Sequence, residues 1–332
     1  MPNGRKRAAA IAATLIALIT ALVGVGLSVG TPAATAKPDL ETAKKQVEKY
    51  EHLAEQASER YNDARVKLEA TKTKLAALNS DLDRQEQVVD AMREQVATMV
   101  VDQYQGDALS TTSQVVLSNN PDAFLDNLNA VSAYNSQRGQ VMKQFSTQLD
   151  RLKLRKAAVQ AEAKRLQDLQ DTMAAEKKVT DEKAAKAQSV LDDLEAEARA
   201  KILSGGWTGE IPDVPASGRA AAAVKFAMAQ VGKAYVYGAA GPNAYDCSGL
   251  TMRAWGAAGV SLPHSSGAQQ GSGVRVSESE LRPGDLVFYY SPVSHVGMYI
   301  GNGLIVNALN PGAGVRVSGL HSMPYVGAVR PG

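Results

Sequence analysis

Tyr245-Asp246-Cys247-Ser248-Gly249-Leu250-Thr251-Met252-Arg253-Ala254-Trp255 is the stretch from which the rest of the chain can be read, because Cys247 is the only cysteine in 332 residues. A lone cysteine cannot staple its own chain, so in an oxidising compartment it is an inert core residue, an intermolecular link or a working thiol. Leu250, Ala254 and Trp255 recur at helical spacing and Gly259 follows as a stop, so Cys247 opens a helix with Asp246 as its N-cap. Unpaired N–H groups and the macrodipole favour a thiolate there, which predicts a lowered thiol pKa and favours the working thiol.

Downstream, the run of short apolar segments predicts strands at Leu286 to Tyr290, His295 to Ile300, Leu304 to Leu309 and Val326 to Val329. With a helix over residues 218–231 and the Cys247 helix before them, these make one α+β domain over 218–332. A thiolate nucleophile needs a base and a group to orient it. His52 lies in a helical region, which leaves His264, His295 and His321. If Gly301-Asn302-Gly303 is a three-residue hairpin loop, one face holds Val296, Met298, Ile300, Leu304, Val306 and Ala308. The other face then brings Asn307 opposite Gly297 and one diagonal step from His295. A two-residue loop would turn Asn307 into the apolar face, which is costly. His264 and His321 are expected as loop or groove residues, no pair shows zinc-site spacing, and neither metal nor cofactor is expected.

Upstream, residues 204–217 read as a linker rich in Gly and Pro. Before it, apolar residues step by three and four from Leu40 to Met99, broken only by Thr71 and Gln85, and no Gly or Pro interrupts residues 40–105. That is one helix about 90 Å long at 1.5 Å per residue. A second register runs from Phe124 through Met142 to Leu166 and more weakly to Ala198, with Met99, Met142 and Met173 expected in the core. Residues 37–203 are therefore expected to form an antiparallel coiled-coil hairpin; a parallel dimer is the alternative. Small helices are expected at its tip, between Gly106 and Pro121. Residues 1–36 resemble a secretory signal, with Arg5, Lys6 and Arg7, an apolar run from Ala8 and cleavage after Ala36; a retained membrane span is the alternative. Residues 37–216 carry 25 Lys and Arg against 30 Asp and Glu, a net of minus 5, whereas 217–332 carry 8 against 4, a net of plus 4. The second part thus suits a polyanionic surface such as cell wall, while nucleic acid is not expected as a partner, since no signature motif is present.

Tyr235-Val236-Tyr237-Gly238, the Cys247 segment, Leu262-Pro263-His264-Ser265-Ser266, Arg282-Pro283-Gly284-Asp285-Leu286-Val287-Phe288 and His295-Val296-Gly297-Met298-Tyr299-Ile300-Gly301 resemble, in order and spacing, the NlpC-type cysteine peptidases of bacterial cell walls. The resemblance covers residues 218–332 and implies a papain-like fold and hydrolysis of the γ-D-glutamyl to diamino acid (meso-diaminopimelate) bond of peptidoglycan stem peptides. It makes Cys247 the nucleophile and His295 the base. Asn307 fills the third polar position, where many relatives carry histidine. Tyr235, with Asp246 and Ser248, falls at positions implied to contact substrate or the oxyanion. A wall amidase with the same Cys/His site and a non-enzymatic coiled-coil scaffold are the rival functions. The helical part resembles, more loosely, the coiled coils of division hydrolases switched on by the FtsE and FtsX membrane complex. The resulting expectation is an enzyme exported to the cell wall or periplasm for wall remodelling or daughter-cell separation, with an arm that lies across the Cys247 groove until a membrane partner draws it away; a passive spacer that only carries the domain toward the wall is the alternative.

Overall fold

The computed structural model describes residues 39–104, 121–203 and 216–332. The signal segment, the tip of the hairpin and most of the linker lie outside the described residues. Helix α1 (Leu40–Tyr104) starts where the Asp39 carboxylate accepts the Thr42 N–H at 2.8 Å, and no Gly or Pro breaks it. Helix α2 (Pro121–Asp192) runs back along it as the antiparallel partner, followed by the short α3 (Ala196–Leu203). The antiparallel sense is written in the cross-helix pairs: Arg60 with Glu176, Lys74 with Glu162 and Asp81 with Arg155 at 2.8, 2.7 and 2.6 Å. The two polar breaks in the seam are buried. Gln85 meets that cost by donating to the Gln148 side-chain oxygen at 3.0 Å across the hairpin. The expected seam holds less well toward the tip: Met142 is 48% exposed, and Val100, Val101, Leu125 and Leu128 are exposed too. Met142 is thus not core, because two helices alone cover only a narrow stripe and, among the described residues, no third element covers this end.

The remaining domain begins with α4 (Gly218–Met228), then β1 (Ala234–Tyr235) and β2 (Ala244–Tyr245), which pair in parallel. Helices α5 (Cys247–Ala257) and α6 (Ser266–Gln269) follow. The sheet comprises β3 (Val274–Val276), β4 (Leu286–Tyr289), β5 (His295–Gly301), β6 (Leu304–Ala308), β7 (Val315–Gly319) and β8 (Tyr325–Arg330). It is antiparallel throughout, in the order β3-β8-β4-β5-β6-β7. Two strands, β3 and β7, escaped the sequence reading. β3 is short and exposed, and Arg316 and Ser318 in β7 dilute its apolar signal.

The hairpin register is the one its apolar pattern requires: Met298 pairs with Val306 and Tyr299 with Ile305, with an irregularity only beside the loop. Val296, Met298, Ile300, Leu304, Val306 and Ala308 all enter the core, against Leu250, Ala254 and Trp255 of α5. The Arg282-Pro283-Gly284-Asp285 motif is structural. Asp285 is buried, accepts the Arg282 N–H at 2.7 Å and holds Arg330 of the last strand with two bonds at 2.8 and 2.7 Å. Gly284 has φ of +102°, and a Cβ there would meet the Ala220 Cβ at 2.9 Å. Asp39–Gly332 form one compact unit, in which α1 packs against α6 of the sheet domain.

Candidate active site

Asp246 caps α5 as its position predicts: its Oδ1 accepts the Gly249 N–H at 2.6 Å. Gly249 is obligatory at this point, since a Cβ would lie 2.3 Å from the Ala239 carbonyl oxygen. The cap places Cys247 at the first turn, facing β5. His295, at the start of β5, donates through Nε2 to Asn307 Oδ1 at 3.1 Å; the Asn307 amide is oriented by donating its Nδ2 to Ser318 Oγ at 3.0 Å. With Nε2 committed, Nδ1 is the ring nitrogen left for another partner, and the Cys247 sulfur lies within 4.8 Å of a ring nitrogen of His295. Cys247, His295 and Asn307 therefore converge as the sequence implies, and all three are buried. Tyr235 is buried nearby, its ring edge-on to Tyr237 at 5.0 Å; burial, then the Glu55 and Cys247 charges, keeps its phenol protonated.

What closes the site comes from α1. Glu55 Oε1 lies 2.5 Å from His295 Nδ1, in the place a thiol proton would be exchanged. Glu59 Oε2 accepts from both the N–H and the hydroxyl of Ser266 at 2.5 and 2.6 Å; its Oε1 accepts from Ser248 Oγ at 2.8 Å and faces Cys247 Sγ at 3.8 Å. Asn62 donates to Asp246 Oδ2 at 3.1 Å. Asp63 accepts from the Ser265 hydroxyl, Arg65 contacts His264 Nδ1, and Asn310 donates to Glu51 Oε2 at 2.9 Å. His264, expected as a bystander in a groove, does sit in the groove but also steadies the cap, because its Nε2 bonds Asp246 at 2.8 Å. His321 instead lies exposed beside Glu278.

The thiol pKa is the opposite of what the local sequence predicts. Burial, followed by the charges of Glu59, Glu55 and Asp246, pushes Cys247 well above the usual thiol range, against the Val296 N–H, which lowers it. A helix N-terminus is a weaker field than three carboxylates in a site sealed from water. For His295, burial works against the imidazolium, but the charge and hydrogen bond of Glu55 outweigh it and the net shift is upward. Glu59 is raised by burial and by Asp246, opposed by its serine bonds, and Glu51 is raised to about 7 by burial and by Glu55 and Glu48. Both shifts favour the protonated forms of the Cys247 thiol and the His295 imidazole, which opposes the nucleophile and base roles that the resemblance implies for them.

The residues that do this were missed because a charged helix face reads as solvated. One signal was present: Glu51, Glu55, Glu59 and Asp63 stand at strict four-residue spacing, where like charges repel on an isolated helix. Such a stripe asks for an external partner. Glu55, Cys247 and His295 also bring a carboxylate oxygen, a thiol sulfur and a ring nitrogen within 4.8 Å of one another, a donor grouping that the sequence spacing did not suggest.

Comparison with known proteins agrees with the motifs. Residues 232–328 match the model of the NlpC/P60 family. A "probable endopeptidase" of Corynebacterium glutamicum strain R is 42% identical over 121 residues, 36% of this chain and 57% of that protein. The "probable endopeptidase p60" of Listeria monocytogenes is 50% identical over 97 residues, 29% of this chain and 20% of that protein. The aligned stretch therefore spans little more than half of the first relative and a fifth of the second. Among solved structures, the NlpC/p60 domain of the peptidoglycan hydrolase SagA is 32% identical over 33% of this chain and 97% of that chain, with a TM-score of 0.32. Residues 232–328, an α+β segment that holds Cys247, His295 and Asn307 and is carried on a helical hairpin, are thus an NlpC/P60 domain.

Proposed function

We propose that the chain is an exported peptidoglycan endopeptidase that cleaves the γ-D-glutamyl to meso-diaminopimelate bond of stem peptides by thiol acyl transfer, in wall remodelling or daughter-cell separation. The observation that carries this is that the Cys247 sulfur and a His295 ring nitrogen lie within 4.8 Å of one another, with His295 Nε2 bonded to Asn307 at 3.1 Å. When the arm withdraws, water enters and the Glu55 and Glu59 charges leave, so the helix start again favours a thiolate. Cys247 then passes its proton to His295 Nδ1 and its sulfur attacks the γ-glutamyl carbonyl carbon, while N–H groups at the start of α5, with Tyr235 alongside, hold the oxyanion. Protonated His295 gives its proton to the leaving amine. Neutral His295 next takes a proton from water, and the hydroxide released onto the thioester carbonyl frees the enzyme. Asp246 serves as the cap that aims Cys247, and Ser248 as a polar contact for substrate.

The closed arm makes regulation part of the same reading. A membrane complex of the FtsE and FtsX kind that engages the hairpin opens the site only if it binds the open form more tightly than the closed one. Mass spectrometry of muropeptides after digestion by the full chain, wild type and Glu55→Gln/Glu59→Gln, tests the reaction. Products ending in L-Ala-D-Glu are expected, more of them from the variant. Bare glycan would make the enzyme an amidase, and no product from either protein would remove the enzymatic reading.

A further inference from the structure

We propose that Glu55 of the arm, with Cys247 and His295, forms a site for a divalent zinc-like cation that bolts the arm to the sheet domain. The three donors are a thiol sulfur, an imidazole nitrogen and a carboxylate oxygen, all buried and within 4.8 Å of one another. Sulfur, nitrogen and oxygen together select a borderline-soft cation of tetrahedral habit over calcium or magnesium. Bonds of about 2.0 to 2.3 Å to such an ion hold ligand atoms roughly 3.3 to 3.7 Å apart. The 2.5 Å contact of Glu55 with His295 opens by about an ångström as the ion replaces the proton between them.

The supporting contacts a metal site requires are already in place. His295 donates its other ring nitrogen to Asn307, which fixes the tautomer and leaves Nδ1 for the ion. His52 Nδ1, buried and without a hydrogen-bond partner, lies 3.8 Å from Glu55 Oε2, within reach of orienting the carboxylate after a small shift. A cavity of about 310 Å³ lined by Glu48, Glu51, His52 and Glu55 adjoins the site, giving an acidic route inward and room for a water as fourth ligand.

A divalent cation held by a thiolate, a neutral imidazole and a carboxylate makes a centre with no net charge, which is the condition for binding in a buried place that tolerates little of it.

Cobalt(II), which mimics zinc and absorbs in the visible, is the probe. The full chain titrated with cobalt(II) at neutral pH is expected to show one equivalent of tetrahedral ion with a thiolate-to-cobalt charge-transfer band, displaced by zinc. Cys247→Ser should abolish the charge-transfer band. Glu55→Gln should weaken binding at least tenfold, whereas Glu278→Gln, exposed beside His321, should leave the band and the affinity within twofold. Unchanged helical circular dichroism in each variant separates ligand loss from misfolding. Equal affinity in wild type and Glu55→Gln would assign the ion to the Cys/His pair alone and overturn the proposal, as would the absence of any thiolate band. That zinc holds the enzyme closed rests on the catalytic reading above. The binding readout does not, so a chain that binds cobalt through Cys247 and Glu55 yet cuts no stem peptide leaves this site standing and removes the reaction.

Discussion

The two halves of α1 obey different rules. From Thr71 to Met99 the helix is an ordinary coiled-coil strand: its buried positions are the seam, its polar layer at Gln85 is answered by Gln148, and its charges sit in water. From Glu51 to Arg65 the same helix buries Glu51, Glu55, Glu59 and Asn62 against the sheet domain, in addition to the seam residues Ala54, Ala57 and Ala64. The far half is explained by apolar periodicity alone. The near half exists in its observed form only because another surface supplies donors for its carboxylates, and it is there that the helix acquires a function. Small alanines in that part of the seam let α2 approach on one side while the acids serve the other.

If the near half is the latch and the far half a lever, variants in the two should behave differently. The largest effect belongs to the chemistry beneath the latch. In the Glu55→Gln/Glu59→Gln background, Cys247→Ala should reduce hydrolysis of soluble stem peptide to nothing and His295→Ala nearly so. Asn307→Ala should retain measurable turnover, because an orienting residue contributes less than the groups that make and break bonds. Complete loss in Asn307→Ala with native circular dichroism would reverse that ranking.

Next in size is the latch itself. Replacing Glu55 and Glu59 by glutamine keeps their shape but removes the charges that protonate His295 and hold the thiol neutral, so turnover of a small stem peptide should rise more than tenfold. Residues 217–332 expressed without the arm should cut at least as fast. Equal rates for wild type, the double variant and the isolated domain would leave the arm as a spacer.

A smaller, several-fold effect concerns pH. Glu51, Glu59, His295 and Cys247 all have raised pKa values in the closed form, so closure takes up protons and the closed form is favoured at low pH. Glu51, raised from 4.5 to about 7, gives up its preference for closure as pH climbs through that window; taken alone the shift corresponds to about 3 kcal/mol. Facing these groups are Glu48, Glu55, His52 and Asp63 on α1, and Tyr235, Tyr237, Asp246, His264 and Tyr290 on the sheet domain. Hydrogen-exchange protection at the Glu51 to Arg65 interface, with the base-catalysed intrinsic rate divided out, should fall from pH 4.5 to 7, and less steeply in Glu51→Gln. A flat profile in both would show that closure is not coupled to protons.

The smallest effect should lie in the lever. Gln85→Leu replaces a polar seam layer by an apolar one and should change stability by no more than about 1 kcal/mol, with hydrolysis unaltered. A rate change as large as that of the latch variants would erase the distinction between the two halves.

Much of the sheet domain was legible residue by residue. Asp246 and Cys247 are a cap and a first turn whatever surrounds them, since capping is satisfied within three residues. The meeting of His295 with Asn307 follows from six apolar side chains that must share one face, a constraint local to a single hairpin. The antiparallel hairpin was legible for the same reason: periodicity records which side of a helix is dry. Tertiary structure alone decided the state of the site. The pKa of Cys247 is raised by burial and then by charges 188 and 192 residues away in sequence, and burial and a carboxylate's field depend on distance in space, which no local spacing encodes. The sequence determined which groups can do the chemistry; the packing of the Glu51 to Arg65 stripe decided that, in this arrangement, they are covered by α1 and shifted toward their protonated forms.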